Sequence, residues 1–151
     1  MKAPAIFTLA GFLFSCAVCA EEPAIARGSP EWREIFDPPF TQPAEIPAKS
    51  DLRKTLFDLL RPRVEKVAKR PVQFEGSLRA FKNWAFFGGR TVDAKGDSVK
   101  LPPIGNDDTV ALWLRTRDGW KLVDFGAGVS DAGHIIWAEQ YGAPKELLGI
   151  R

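Results

Sequence analysis

Apolar and polar residues alternate on both sides of Asp118-Gly119. The flanking runs are Val110-Ala-Leu-Trp-Leu-Arg-Thr-Arg117 and Trp120-Lys-Leu-Val-Asp-Phe-Gly-Ala127. An Asp-Gly pair between such runs predicts a two-residue β-hairpin loop, because both loop residues must tolerate positive φ. This loop would pair Arg117 with Trp120. Leu114 then faces Val123, Leu112 faces Phe125 and Val110 faces Ala127, forming one apolar face. The other face would carry Trp113, Arg115, Trp120, Leu122 and Asp124. Upstream, Val72–Phe81 and Trp84–Val92 read as a second hairpin around Lys82-Asn83, with Leu78 facing Phe87 and Glu75 facing Arg90. Gly76, Gly88 and Gly89 predict a bulge or a strong bend in that pair.

A helical period governs the segment before the strands. Leu52, Leu56, Leu59, Leu60, Val64 and Val67 recur at three- and four-residue spacing, which predicts a helix over about 51–69 capped by Ser50 or Asp51. Pro62 removes one backbone hydrogen bond and predicts a kink near Asp58 to Leu60, or a break and restart; Pro71 ends the helix. Ser29-Pro30-Glu31 opens a shorter helix carrying Trp32, Ile35 and Phe36, which Pro38-Pro39 stops. Phe40 to Pro47 then reads as an extended, proline-rich linker. Residues 93–108 form a polar loop between the hairpins. Ser130-Asp131 caps a last short helix with Ile135, Ile136 and Trp137, ended by Tyr141-Gly142-Ala-Pro144. The predicted fold is α+β: a kinked helix on a curved, four-stranded antiparallel sheet of two hairpins, with a short C-terminal helix.

Composition changes the picture at the N-terminus. Lys2, the apolar run Ala5 to Phe14 and the small residues Val18-Cys19-Ala20 have the layout of a secretory signal peptide, cleaved after Ala20 and too short to span a membrane. A lipoprotein reading at Cys16 has a weak basis, since Phe14 fits a lipobox poorly. The expected organisation is a leader at 1–20, a proline-rich segment with a short helix at 21–50, and one α+β domain at 51–151. The expected location is periplasmic or secreted, with no transmembrane segment after cleavage. Both cysteines, Cys16 and Cys19, fall in the leader, so the mature chain has no disulfide, thiol nucleophile or thiolate ligand. Its stability rests on a packed core, to which five Trp and most of the eleven Phe contribute. Of 21 basic residues only Lys2 lies in the leader, leaving 20 against 19 acids, a balance that argues against nucleic acid as partner.

Candidate chemistry is sparse. His134 is the only histidine, and with Asp124 it could form a proton-transfer pair. No second imidazole or thiolate completes a zinc site, and Asp93, Asp97, Asp107 and Asp108 lack the regular alternation of a calcium loop. No cofactor motif is present: Gly88-Gly89 and Gly126-Ala-Gly128 do not open a long helix as a phosphate loop does. Asp124 is expected opposite Trp113 and diagonal to Arg115, within reach of an ion pair. The richest feature is the second face of the sheet. If the hairpins are neighbours, Trp84, Phe86, Arg90, Trp113, Arg115 and Trp120 form an aromatic, arginine-dotted surface of the kind that protein interfaces concentrate. The N-terminal segment or Trp137 and Tyr141 could equally cover it.

Several runs carry a resemblance: Leu59-Leu-Arg-Pro-Arg-Val-Glu65, Pro71-Val-Gln-Phe74, Asn83-Trp-Ala-Phe-Phe87, Trp120-Lys-Leu-Val-Asp-Phe125 and Trp137-Ala-Glu-Gln-Tyr-Gly-Ala-Pro144. Together they resemble a family of small exported bacterial proteins of unknown function, over roughly residues 51–144. The resemblance implies a cell-envelope or secreted location and brings no catalytic residues. The helix-then-sheet order is also similar to cystatin-like and NTF2-like folds, an analogy of architecture alone. Two functions follow as expectations. One is a non-catalytic binding protein that engages a protein or peptide-like ligand through the aromatic face, with an envelope immunity or inhibitor protein as one form of it. The alternative is a small pocket-forming enzyme using Asp124 and His134.

Overall fold

The structure, a computed structural model, describes residues 40–129 and 131–150, with only the backbone of 131–133. The leader, the helix expected around Trp32 and the Ser130 cap lie outside the described residues. The described chain is α+β, with five strands in one open antiparallel sheet ordered β1-β2-β3-β4-β5. These are β1 (Phe40–Glu45), β2 (Gln73–Lys82), β3 (Trp84–Val92), β4 (Asp108–Thr116) and β5 (Gly119–Ala127). Helix α1 (Asp51–Ala68) links β1 to β2, and a 3₁₀ segment (Asp131–Ile136), α2 (Trp137–Tyr141) and α3 (Lys145–Leu148) close the chain. Among the described residues no helix is long and apolar enough to cross a membrane.

The fifth strand corrects the four-strand expectation. The segment read as a linker is an edge strand, pairing Ala44 with Ala80 and Glu45 with Arg79. Proline fits there because an edge strand has one side with no ladder to donate into. The pairing is irregular between Phe40 and Ala44, the stretch that contains Pro43. The folded unit therefore begins upstream of residue 51.

Helix α1 runs uninterrupted through Pro62, so the helix does not break and restart. The Ser50 side chain accepts the Arg53 N–H at 3.2 Å, and Lys69 ends the helix in the left-handed region at φ 56°. Leu56, Phe57, Leu60 and Val64 are buried, while Pro62 is exposed, where its missing donor costs least.

The β2–β3 register is as the sequence predicts: Leu78 opposite Phe87, Glu75 opposite Arg90 and Phe81 opposite Trp84. The glycines do not bulge this ladder, which stays in register across Gly76 and Gly89. They let backbones approach: a Cβ at Gly76 would sit 2.5 Å from the Gly88 carbonyl oxygen.

The β4–β5 hairpin departs from the expected register. Thr116 pairs with Gly119 and Arg115 with Trp120, so the loop is Arg117-Asp118 rather than Asp118-Gly119. Gly119 alone of these residues has positive φ, 103°. A loop with one left-handed residue, placed after the turn, replaces the mirror-image turn that needs two. A bulge at Val123 then shifts the ladder again: Trp113 faces Leu122, but Leu112 faces Asp124. The bulge sends Phe125 to the face of Leu122 and leaves Val123 on the opposite face.

The consequence is that both faces of the sheet are covered, and not as expected. Helix α1 lies on the aromatic side, over Leu78, Ala85, Phe87, Ala111 and Trp113, with Trp120, Leu122 and Phe125 packed at the margin. Alanines at 80, 85 and 111 leave room for the helix backbone, and Phe87 and Trp113 fill the space between. The plainer side, Phe86, Val110 and Leu112, is covered by Trp137, Ala143, Leu147 and Leu148. The sequence reading had no α3.

Candidate functional site

The outer face of the sheet, turned away from α1, carries rows of residues set by strand register. The first row crosses β2, β3 and β4 as Glu75, Arg90 and Asp108. Arg90 donates to Glu75 Oε2 from both Nε (3.1 Å) and Nη2 (2.7 Å). The Glu75 carboxylate raises the Arg90 guanidinium above its ordinary value, first through the hydrogen bond and then through charge. Asp108 accepts from the Asn106 side-chain amide at 2.7 Å. The next row is Ser77, Gly88 and Val110, and the third is Arg79, Phe86 and Leu112.

Gly88 is a gap in this surface. A groove of about 670 Å³ opens over it, within the size range of ligand sites. Its charged wall is the first row; its other wall is Arg79, Phe86, His134 and Leu148, and Val110 completes the floor. The Phe86 ring, on a residue 5% exposed, is the common neighbour of that second wall. The Arg79 guanidinium carbon lies 5.8 Å from its centroid, and the His134 ring centroid 5.0 Å. Arg79 Nε and His134 Nδ1 are both buried and without a hydrogen-bond partner among the described residues. Buried polar atoms are normally satisfied, so two orphans lining one groove need an explanation.

A second groove, of about 890 Å³, lies between α1 and the start of β2. Its Arg53 is already spent: it donates to the Gly76 carbonyl at 2.9 Å and stacks over Phe57 at 4.8 Å. None of the unsatisfied buried side-chain atoms among the described residues belongs to its lining.

The six residues expected on one aromatic face are divided between two. Trp84, Phe86 and Arg90 stand on the outer face, and of these Phe86 and Arg90 line the groove. Trp113 is 0% exposed beneath α1. Trp120 packs on that same inner core, and Arg115, paired with it across the hairpin, shares its side of the sheet. Adjacent β3 and β4 place Trp84 opposite Leu114 and Ala85 opposite Trp113, so Trp84 and Trp113 project to opposite sides.

Asp124 and His134 are not brought together in the groove. His134 lines it and Asp124 does not. Asp124 lies opposite Leu112 rather than Trp113, a result of the bulge, and its expected ion pair with Arg115 is not formed. Its carboxylate instead accepts the Tyr141 hydroxyl at 2.9 Å and the Phe125 N–H at 2.8 Å. The hydrogen bond to Asp124 raises the Tyr141 phenol above its ordinary value, so the hydroxyl stays a donor. This contact latches α2 to the sheet. The acids of the 93–108 loop are also engaged with the chain: Asp93 accepts the N–H groups of Lys95 and Asp97, at 2.8 and 3.0 Å, and Asp107 accepts the Ser98 hydroxyl.

The groove uses residues that the sequence reading underweighted. Arg79, Gly88 and Arg90 share one side of the β2–β3 ladder, and the two-residue strand period places Gly88 on the same side as Phe86. No sequence signal set His134 against Phe86, because that contact depends on how the C-terminal helices dock. Comparison of the chain with protein-family models, with curated proteins and with solved structures finds no match in any of the three.

Proposed function

We propose that the mature chain is an exported, non-catalytic binding protein of the bacterial cell envelope that holds a peptide-like ligand in the groove over Gly88. One observation carries this reading: a hollow floored by Gly88 and Val110 lies between the apolar surfaces of Phe86 and Leu148 and a charged ladder of Glu75, Arg90 and Asp108. Peptide-like ligands pair apolar side chains with polar ends, and the hollow offers matching surfaces a few residues apart. Export rests on the N-terminal leader and the lack of cysteine in the mature chain. The polar contacts of Asp124 with Tyr141 and Phe125 give that residue a holding role and lend nothing to the proton-transfer alternative.

The test has two parts. Epitope-tagged chain isolated from the envelope fraction should begin at Glu21; a full-length cytoplasmic product would refute export. Immobilised mature protein should retain a set of peptides from an envelope extract that a Gly88→Val variant does not. That substitution is suited to the test because Gly88 does not have positive φ, and a Cβ there meets nothing closer than 3.4 Å. Equal retention by the folded variant would remove the groove from the reading.

A further inference from the structure

Resting on the groove reading above, we infer that the ligand is anchored by a carboxylate, received between Arg79 and His134, with an apolar group seated on Phe86 over Gly88. The first support is the state of the groove's charges. Arg90 is committed to Glu75, and Asp108 sits directly across the ladder from Arg90. No hydrogen bond or ion pair among the described residues engages the Arg79 guanidinium, whose recorded contact is the Phe86 ring. Arg79 is therefore the groove's uncompensated cation.

The second support is the pair of orphan atoms. Arg79 Nε is an obligate N–H donor, and His134 Nδ1 donates when it carries the imidazole proton. Both atoms are buried, and both belong to side chains that line the same groove and rest on the same ring. An acceptor with two oxygens answers both, and the planar guanidinium is matched to a carboxylate. A neutral amide offers one oxygen and adds donors the site does not need.

The third support is direction. At the far wall two acids flank one arginine, so that end is acidic while the Arg79 end is basic. A ligand with its carboxylate at Arg79 can present an N–H or an amine toward Glu75 and Asp108, which is the polarity of a peptide's terminal residue and not of a simple alkyl acid.

The experiment titrates the mature protein with three probes: N-acetyl-alanyl-leucine with a free carboxylate, the same dipeptide as its C-terminal amide, and hexanoate. Isothermal calorimetry reads affinity, and amide NMR shifts locate the site. The free acid should bind at least tenfold more tightly than the amide, with shifts centred on Gly88 and His134. Arg79→Gln, with its fold verified by circular dichroism, should remove that difference; the substitution breaks no side-chain hydrogen bond among the described residues. Acid and amide binding equally at Gly88 would overturn the carboxylate anchor and leave the groove reading standing. Hexanoate matching the dipeptide acid would keep the anchor and overturn the peptide assignment. No binding by any probe to the wild-type protein, or binding that Gly88→Val leaves intact, would overturn the anchor and the groove together. Because the acid-to-amide comparison uses the wild-type chain, it decides the question even if a variant fails to fold.

Discussion

Trp113 is where the fold turns. Read from its strand alone, it stands on a surface free to bind a partner, and truncating it should leave the protein folded. Its complete burial beneath α1 reverses that expectation. Trp113→Ala should cost about 3–5 kcal/mol of stability, seen as a lower midpoint in denaturant; a variant as stable as the parent would mean that α1 does not rest on this ring. The glycines show how finely one atom is resolved by position. A Cβ at Gly89 would collide with the Glu75 carbonyl oxygen and the Gly76 Cα, while one at Gly88 meets only the Phe86 ring edge at ordinary distance. Gly89→Ala should therefore destabilise by about 1–3 kcal/mol and Gly88→Ala should be close to neutral. Thermal melts of the two variants compare adjacent residues of one strand, and equal melts would contradict the register.

At the level of elements, what was legible depended on how local the signal was. Helix α1 was readable because its cap, its period and its stop are all sequence-adjacent. The β2–β3 hairpin was readable because Phe81 and Trp84 close around two residues and no bulge follows. The β4–β5 hairpin was readable as a hairpin but not in register. Glycine took the positive φ alone, and an extra residue entered at Val123, next to the Asp124 that accepts the Tyr141 hydroxyl. A two-residue period cannot announce where a ladder slips by one residue. The loop between the hairpins carries its own pH signature. The backbone N–H groups of Lys95 and Asp97 hold the Asp93 carboxyl below its ordinary 3.8, and the Ser98 hydroxyl does the same for Asp107. A lowered folded value means that the unfolded chain binds the proton first. The stabilisation is therefore complete above about pH 3.8 and disappears as pH falls through the lower folded values. Acid titration of thermal stability should show a drop below that point that Asp93→Asn makes shallower; an identical profile in the variant would place the acid sensitivity elsewhere.

For the molecule as a whole, the decisive fact is that the sheet has two cores. The strand pattern predicts one apolar face and one aromatic face, the second either open to a ligand or covered by the N-terminal segment or by Trp137 and Tyr141. The chain covers both: α1 on the side of Trp113, and the short C-terminal helices on the side of Phe86 and Leu112. The first of them carries Trp137, which the sequence already offers as a possible cover; the second is four residues long, too short to announce itself by period, so the share of Leu147 and Leu148 in that cover was illegible. On the outer face that cover stops short of the hollow at Gly88, which lies between its end and the ladder of Glu75, Arg90 and Asp108. The candidate site arises where an incomplete lid stops, and this explains why it draws on a strand glycine, a lone histidine and an arginine that no motif connects.

Pro43 deserves a last thought in terms of company. An open sheet ends in a rim of unclaimed carbonyls and amides, and a second copy approaching side-on would find there a template for growth. The β1 rim lacks one amide outright, and its pairing with β2 is already out of step between Phe40 and Ala44. A newcomer strand could not zip along it from end to end. The residue that made this segment look like a mere tether thus acts as a guard against self-templated stacking, and helps keep the chain from polymerising edge to edge.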